Sequence, residues 1–193
     1  MEKLILGSSS PARRALLERL KVPFTVISPD ADETPEEGES PESLARRLAL
    51  KKAKAVARLH PNHVIIGSDQ VCCLNNGTVL NKPGGHERAV KQLQLCSGEW
   101  VNYHTGMCVL NSTSGEQALI CETYKVKFRE LSHHEIDRYV ELEKPFGCAG
   151  SFRSEGLGVA LCEKFEGEDP TGLTGLPLIA LSQILTRMGI GIL

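Results

Sequence analysis

The sequence predicts an α/β protein with a mixed β-sheet, and three observations support this fold class. Short apolar runs typical of buried strands alternate along the chain with segments of helical periodicity. Helix start and stop signals stand at the ends of several of these segments. Hydrophobic residues make up 41% of the 193 residues and charged residues 24%, as in ordinary globular chains. This length predicts one domain over residues 1–193.

The first half of the chain alternates apolar runs with polar, helix-forming segments. Pro11 suits the first position of a helix because that position needs no backbone N–H donor. The segment HVIIGSDQVCCL predicts a buried strand that breaks at Gly67 and then continues. In order, we expect a strand at 3–6, a helix at 11–20, a strand at 24–27, an acidic loop at 30–42, a helix at about 42–59 and this interrupted strand.

The second half carries clearer helix boundaries. Ser132 and Glu135 form a capping-box pattern, and Pro145 stands just past the end of that helix. Gly189 is a suitable residue to end the last helix. The predicted elements are a helix at 86–95, strands near 100–110 and 118–128, a helix after Ser132, and a helix from near Pro177 to Gly189.

Composition excludes several function classes. The net charge of −2 gives no basic footprint for nucleic acid, so we expect no nucleic-acid partner. No apolar run reaches the roughly 20 residues that a membrane span needs, and the N-terminus lacks a signal-peptide pattern. The seven cysteines include no C-x-x-C pair, which predicts reduced thiols in a cytoplasmic protein.

The stretch LILGSSSPARRALL places two arginines in the first turn of a helix. The helix dipole disfavours cations there, so Arg13 and Arg14 suggest an anion that they and the helix end bind together. A strand–loop–helix junction also presents free backbone N–H groups, which suit a phosphate. We interpret Arg13 as a phosphate ligand and Arg14 as a solvated surface charge; the alternative is that both are solvated.

Lys52 falls on the apolar face of its predicted helix. At 100° per residue, the other basic residues of this helix fall outside the apolar stripe. A lysine on a buried stripe needs an anion or must extend to water. Lys52 is therefore a candidate ligand for phosphate or a carboxylate.

Two segments supply carboxylates. Asp69 in IIGSDQV is a candidate catalytic acid or metal ligand; the alternative is a turn aspartate that caps its own backbone. Asp32 and Glu33 in DADET add further oxygen ligands for a hard cation. Lys82 in NKPGG, taken by itself, is an ordinary exposed turn lysine.

DADET also matches the D-x-D-x-T pattern of haloacid-dehalogenase-type phosphatases, with Asp30 as nucleophile. In that family the first Asp directly follows a buried strand, whereas Ser28 and Pro29 intervene here. We interpret the match as chance but keep a phosphomonoesterase as one alternative.

Taken together, ordered motifs along nearly the whole chain resemble the Maf family of nucleoside triphosphate pyrophosphatases. They are LILGSSSPARRALL, DADET, RLALKKA, IIGSDQV, NKP, SGEWVNYHTG, CAGSFRSEG and GLPLIAL. GSDQV and GSFRSEG are most similar to the bacterial branch that hydrolyses 7-methyl-GTP. The resemblance implies an elongated mixed sheet flanked by helices, a central nucleotide cleft and a homodimer.

The resemblance also implies roles for individual residues. Asp69 is the implied general base, and Glu33 and Asp69 are the implied ligands of a divalent cation such as Mg²⁺, Mn²⁺ or Co²⁺. The implied phosphate ligands are Ser8, Arg13, Lys52 and Lys82, and the implied specificity positions are Ala12, Gln70 and Glu155. Ala12 cannot stack on a base, so a dTTP/UTP-preferring pyrophosphatase stays open as an alternative. A nucleotide-binding regulator of cell division with little turnover is a separate alternative.

Overall fold

Three parallel strands begin the sheet in the computed structural model, which describes residues 3–193. The strands are β1 (Lys3–Gly7), β2 (Phe24–Ile27) and β3 (His63–Leu74). β1 pairs in parallel with both of the others, so that Leu4 lies opposite Phe24 on one side and Val64 on the other. The apolar sequences of β1 and β3 are typical of strands that are covered on both faces, and these two strands are buried along most of their length.

The remaining strands make the sheet mixed, as predicted. They are β4 (Trp100–Asn111), β5 (Gln117–Phe128) and β6 (Cys162–Glu166), and the strand order is β2-β1-β3-β4-β5-β6. β6 pairs antiparallel with β5 and places Glu166 opposite Lys125.

Capping signals mark the ends of the helices as expected. The Ser132–Glu135 capping box is formed, and Gly189 follows the last helix with a positive φ of 81°. No helix among residues 3–193 is long and apolar enough to cross a membrane. The helices are α1 (Pro11–Glu18), α2 (Pro41–Ala57), α3 (His86–Cys96), α4 (His133–Glu143), α5 (Pro170–Thr174) and α6 (Leu178–Arg187), with 3₁₀ turns at Ala149–Ser151 and Leu157–Leu161.

The described chain forms two compact units. The first contains residues 3–69, Thr105–Glu122 and Asp169–Leu193. Alternation along its strands creates two cores. Even-numbered strand residues such as Leu6 and Ile66 join a cluster with leucines of α1 and α6, whereas Ile5 and Ile65 join a cluster with α2.

The second unit contains Gln70–His104 and Thr123–Glu168. Its buried aromatic residues form a connected group, in which the ring of Phe152 lies 5.3 Å from that of Phe128 and 5.9 Å from that of Tyr103. Leu93 of α3 and Ile136 of α4 are also buried in this unit.

The predicted break at Gly67 is wrong. β3 runs without interruption through Gly67 and carries Asp69 inside the strand rather than at its end. The glycine is needed for packing, because a Cβ added there would lie only 2.6 Å from the backbone nitrogen of Ala53 in α2. Gly67 therefore lets α2 approach β3 closely at the position next to Lys52.

Candidate active site

The junction between β1 and α1 brings Ser8 and Arg13 together. Ser8 is buried, and its Oγ accepts hydrogen bonds from the Ser10 backbone N–H at 3.2 Å and from Arg13 Nη1 at 3.4 Å. Ser10 caps α1 by accepting the Arg13 N–H at 3.3 Å, and Pro11 occupies the first turn as predicted. Arg14, by contrast, is exposed and pairs with Glu18 at 3.0 Å, in agreement with its interpretation as surface charge.

Lys52 lies between two carboxylates. Its Nζ is 2.5 Å from Asp69 Oδ1 and 2.7 Å from Glu33 Oε1. Lys52 is 7% exposed and Asp69 is 8% exposed, which confirms that the lysine lies on the buried face of α2 and that an anion meets it. A buried ammonium of this kind is tolerated because its charge is paired.

Glu33 comes from an exposed loop that α2 holds in place. Arg47 donates to Glu39 through Nε at 2.6 Å and through Nη2 at 2.7 Å, and Nη2 also reaches the Thr34 carbonyl at 3.0 Å. Lys51 pairs with Asp32 at 3.4 Å. The Thr34 hydroxyl and amide, together with Lys51, lower the pKa of Asp32 to about 2. Arg47 is thus half-buried and structural, although the sequence placed it on a solvated face.

A carbonyl far along the chain also contacts Arg13. The Gly175 carbonyl accepts a hydrogen bond from Arg13 Nε at 2.8 Å and lies 2.9 Å from the Ser68 hydroxyl. Burial lowers the pKa of the Arg13 guanidinium, whereas the negative charges of Asp69 and Glu33 raise it. Guanidinium groups stay charged in proteins, so Arg13 can bind an anion.

The other predicted site residues have the following places. Ala12 is half-buried on α1, beside Arg13. Gln70 directly follows Asp69 in β3 and is half-buried, while Lys82 and Glu155 are exposed. Within the second unit, burial raises the pKa of Cys148, Glu155 raises it further, and Lys82 is among the charges that lower it. The charges of Lys82 and Glu155 therefore both influence the pKa of the Cys148 thiol, in opposite directions.

Glu155 has partners of its own in the second unit. Its carboxylate accepts from the Ser154 hydroxyl at 3.3 Å and lies 3.6 Å from Arg153 Nε. Arg153 in turn donates to Glu143 through Nη1 at 2.9 Å. The Glu155 side chain keeps 42% of its surface exposed, so it can still bind a ligand.

Asp30 lacks the setting of a phosphatase nucleophile. It is exposed in the loop after β2, and β2 itself is an edge strand with two exposed residues among its four. The structure therefore gives no support to the phosphomonoesterase alternative.

The cluster of Ser8, Arg13, Glu33, Lys52 and Asp69 sits in a chain whose sequence matches a known family over most of its length. The sequence model of Maf-like proteins matches residues 3–188. The chain belongs to the Maf family. Among its relatives, the 7-methyl-GTP pyrophosphatase of Nitrosococcus oceani is 48% identical over 190 residues, which cover 98% of this chain and 95% of that protein.

Two further Maf relatives are equally similar. The 7-methyl-GTP pyrophosphatase of Alcanivorax borkumensis is 50% identical over 187 residues, covering 97% of this chain and 94% of the relative. That of Cupriavidus pinatubonensis is 50% identical over 189 residues, covering 98% and 94%. Among solved structures, a HAM1 protein from Coxiella burnetii aligns with a TM-score of 0.51 at 14% identity, covering 97% of this chain and all of the other. This likeness supports the α/β fold alone.

Sequence reasoning missed several residues that shape this Maf site. The Gly175 carbonyl contacts Arg13 of the cluster, and Arg47 contacts the supporting loop at Thr34. The Ser68 hydroxyl contacts the Gly175 carbonyl in turn. Gly175 lies 162 positions from Arg13 along the chain, and no local pattern reports such a contact. The only signal was the unusual segment EDPTGLTGLP, whose two glycines and two prolines predict turns.

Proposed function

We propose that this Maf protein is a nucleoside triphosphate pyrophosphatase that hydrolyses 7-methyl-GTP to 7-methyl-GMP and pyrophosphate. Full-length similarity to three 7-methyl-GTP pyrophosphatases supports the substrate. The observation that carries the proposal is the placement of Lys52 between Asp69 and Glu33, with the positive charge of Arg13 close to both carboxylates. Cations and carboxylates interleaved in this way suit a polyphosphate and a divalent cation.

Cationic side chains bind the triphosphate in this proposal. Within the protein, Arg13 donates a hydrogen bond through Nε to the Gly175 carbonyl and another through Nη1 to the Ser8 hydroxyl oxygen. Among residues 3–193, its Nη2 has no hydrogen-bond partner. That nitrogen is free to donate to phosphate oxygens, as is the hydroxyl hydrogen of Ser8. Lys52 and Lys82 supply further positive charge for the negative oxygens of the transition state.

Asp69 is the proposed general base. Lys52 holds Oδ1, while Oδ2 has no hydrogen bond among the described residues. A carboxylate with one oxygen fixed and the other open can accept a proton from a water that attacks the α-phosphorus. Pyrophosphate then leaves, and the bond between the α- and β-phosphates is the one that breaks.

Glu33 and Asp69 are the proposed ligands of a divalent cation. Both are hard oxygen donors, and the ammonium between them shows that this point attracts positive charge. No cluster of three or more His, Cys, Asp or Glu that could hold a metal occurs among residues 3–193. Two carboxylates fit a cation such as Mg²⁺, Mn²⁺ or Co²⁺, because such ions complete their shells with water and substrate phosphates. When bound, the cation neutralises charge on the phosphate oxygens.

Ala12, Gln70 and Glu155 are the proposed specificity residues. A carboxylate such as Glu155 accepts hydrogen bonds from the N1–H and amino group of guanine, and it favours the positive charge of the 7-methylated ring. Uracil and thymine present carbonyl oxygens, which a carboxylate repels. A homodimeric assembly stays a prediction from the family resemblance. A cytoplasmic location and the lack of nucleic-acid or membrane partners stay predictions from the composition.

The test is product release from a nucleotide panel with Mg²⁺ or Mn²⁺. We expect pyrophosphate rather than orthophosphate, with 7-methyl-GTP preferred over GTP, ATP, CTP, UTP and dTTP. Preference for dTTP or UTP would overturn the specificity assignment but leave the reaction. Tight binding without any pyrophosphate release would instead identify a regulator.

A further inference from the structure

Asp169 is a buried carboxylate outside the residues proposed to touch substrate. It is 2% exposed and begins α5 as its capping residue. Its Oδ1 accepts from the Thr171 backbone N–H at 2.8 Å and from the Thr171 hydroxyl at 2.6 Å. Its Oδ2 accepts from the Ile179 N–H, in the first turn of α6, at 2.7 Å. One side chain therefore ties the start of α5 to the start of α6.

Thr171 strengthens the same connection. Its hydroxyl oxygen accepts the Leu178 N–H at 2.8 Å while its hydrogen goes to Asp169. Asp169 and Thr171 thus fix both ends of the short segment between the helices, and this segment contains Gly175.

Gly175 has a backbone conformation that other residues rarely adopt. Its φ is 113° and its ψ is 10°, and its N–H bonds the Gly172 carbonyl at 3.0 Å. In this conformation the Gly175 carbonyl oxygen accepts a hydrogen bond from Arg13 Nε at 2.8 Å and lies 2.9 Å from Ser68 Oγ. Ser68 directly precedes Asp69 and is fully buried. The same carbonyl therefore contacts both the phosphate-binding arginine and the strand of the general base.

We propose that Asp169 is a positioning residue: through Thr171 and the α5–α6 segment it holds the Gly175 carbonyl, which orients the Arg13 guanidinium toward the triphosphate. The use of that orientation in catalysis rests on the proposed function. The positioning itself rests only on the hydrogen bonds of Asp169 and Thr171, on the backbone segment that they hold, and on the hydrogen bond from Arg13 to the Gly175 carbonyl.

The informative variant is Asp169→Asn. An amide has one acceptor oxygen where the carboxylate has two, so it cannot bond Thr171 and Ile179 together. The first readout is the Arg13 Nε–H signal in ¹⁵N NMR, assigned by its loss in Arg13→Lys. In Asp169→Asn we expect this signal to shift and its solvent exchange to accelerate about tenfold, as for the loss of one hydrogen bond. An unchanged Arg13 signal would overturn the proposal whatever the protein's substrate.

The second readout is a double-mutant cycle with Arg13→Met. Binding of 7-methyl-GTP with a methylene group between the α- and β-phosphates is measured by calorimetry. Asp169→Asn should weaken binding about tenfold when Arg13 is present and less than twofold when it is absent. Equal losses in both backgrounds would mean a general structural role and would overturn the proposal.

Two controls keep the test sharp. Asp137→Asn removes the same charge from an exposed position of α4 and should change neither readout. If Asp169→Asn does not fold, Thr171→Val and Thr171→Ser replace it. The valine variant should shift the Arg13 Nε–H signal and accelerate its solvent exchange. The serine variant, which keeps the hydroxyl, should give the wild-type signal and exchange rate. A wild-type protein that binds no nucleotide would refute the proposed function, while the NMR readout would still decide the positioning role.

Discussion

At the residue scale, Asp69 concentrates the proposed chemistry in one side chain. Asp69→Asn keeps the shape but cannot accept a proton from water. We expect kcat for 7-methyl-GTP to fall about 10²–10⁴-fold while nucleotide affinity changes little. Pyrophosphate release and calorimetric binding measure the two quantities. Substantial turnover by the variant would remove Asp69 from the role of general base.

In the proposed function, Lys52 and a divalent cation bind the same carboxylates, which gives a second test at this scale. Lys52→Met removes the ammonium 2.5 Å from Asp69 and 2.7 Å from Glu33. We expect the nucleotide-free variant to bind Mn²⁺ about tenfold more tightly than the wild type, and nucleotide more weakly. Electron paramagnetic resonance of free Mn²⁺ gives the affinity.

Lys51→Met is the matched control for that experiment. Lys51 is adjacent to Lys52, but within residues 3–193 its ion pair is with the exposed Asp32 rather than with Glu33 or Asp69, so its loss should leave Mn²⁺ affinity nearly unchanged. Equal Mn²⁺ affinity in wild type and Lys52→Met would argue against Glu33 and Asp69 as the cation ligands.

At the element scale, α2 supports the candidate site through two of its faces. One face buries Lys52 against β3, and the neighbouring face holds the acidic loop through Arg47. In Arg47→Met we expect faster amide hydrogen exchange over residues 30–40, by about tenfold or more, because charge-assisted hydrogen bonds are lost. Arg46→Met is the control, since the Arg46 guanidinium makes no hydrogen bond to residues 30–40 and its one hydrogen bond in the described part of the chain, to the Leu119 carbonyl, is long at 3.4 Å. Unchanged exchange in Arg47→Met would show that the loop is held by other contacts.

The capping box of α4 predicts a pH dependence. The Ser132 backbone N–H, the Ser132 hydroxyl and Arg129 lower the pKa of Glu135 to about 2. Because the folded pKa lies below the unfolded one, this stabilisation is present above about pH 4.5 and is lost as the pH falls toward 2. Carboxyl ¹³C NMR should show Glu135 titrating near 2. Ser132→Ala should raise that pKa, and a wild-type midpoint near 4.5 would contradict the capping geometry.

The same scale shows how far sequence reasoning reaches. Helical periodicity identified Lys52, and apolar runs gave β1 to β5, because buried faces leave a repeating pattern. β6 was missed since its sequence CEKFE is charged and exposed at the sheet edge. The Gly67 break was wrong because glycine there permits close helix–strand contact rather than a turn. The contact of Arg13 with Gly175 was unpredictable, as periodicity does not report which distant carbonyl approaches.

At the scale of the whole molecule, all seven cysteines are free thiols. Burial raises the pKa of Cys96 to about 12 and that of Cys108 to about 11, so the reactive thiolate is scarce at neutral pH. We expect Ellman's reagent to react slowly with the native protein and with seven thiols after denaturation. Fewer than seven in the denatured, unreduced protein would indicate a disulfide that the structure lacks.

The contact between Arg13 and Gly175 has a consequence for biosynthesis. Ser8, Arg13, Glu33, Lys52 and Asp69 all leave the ribosome well before Gly175. At 5–20 residues per second, translation from Asp69 to Gly175 takes about 5 to 20 s. During that interval the nascent chain already carries the cationic and acidic side chains of the site without the carbonyl that anchors its arginine. If Gly175 orients Arg13 as proposed, we expect full affinity for a triphosphate only after Gly175 has been synthesised.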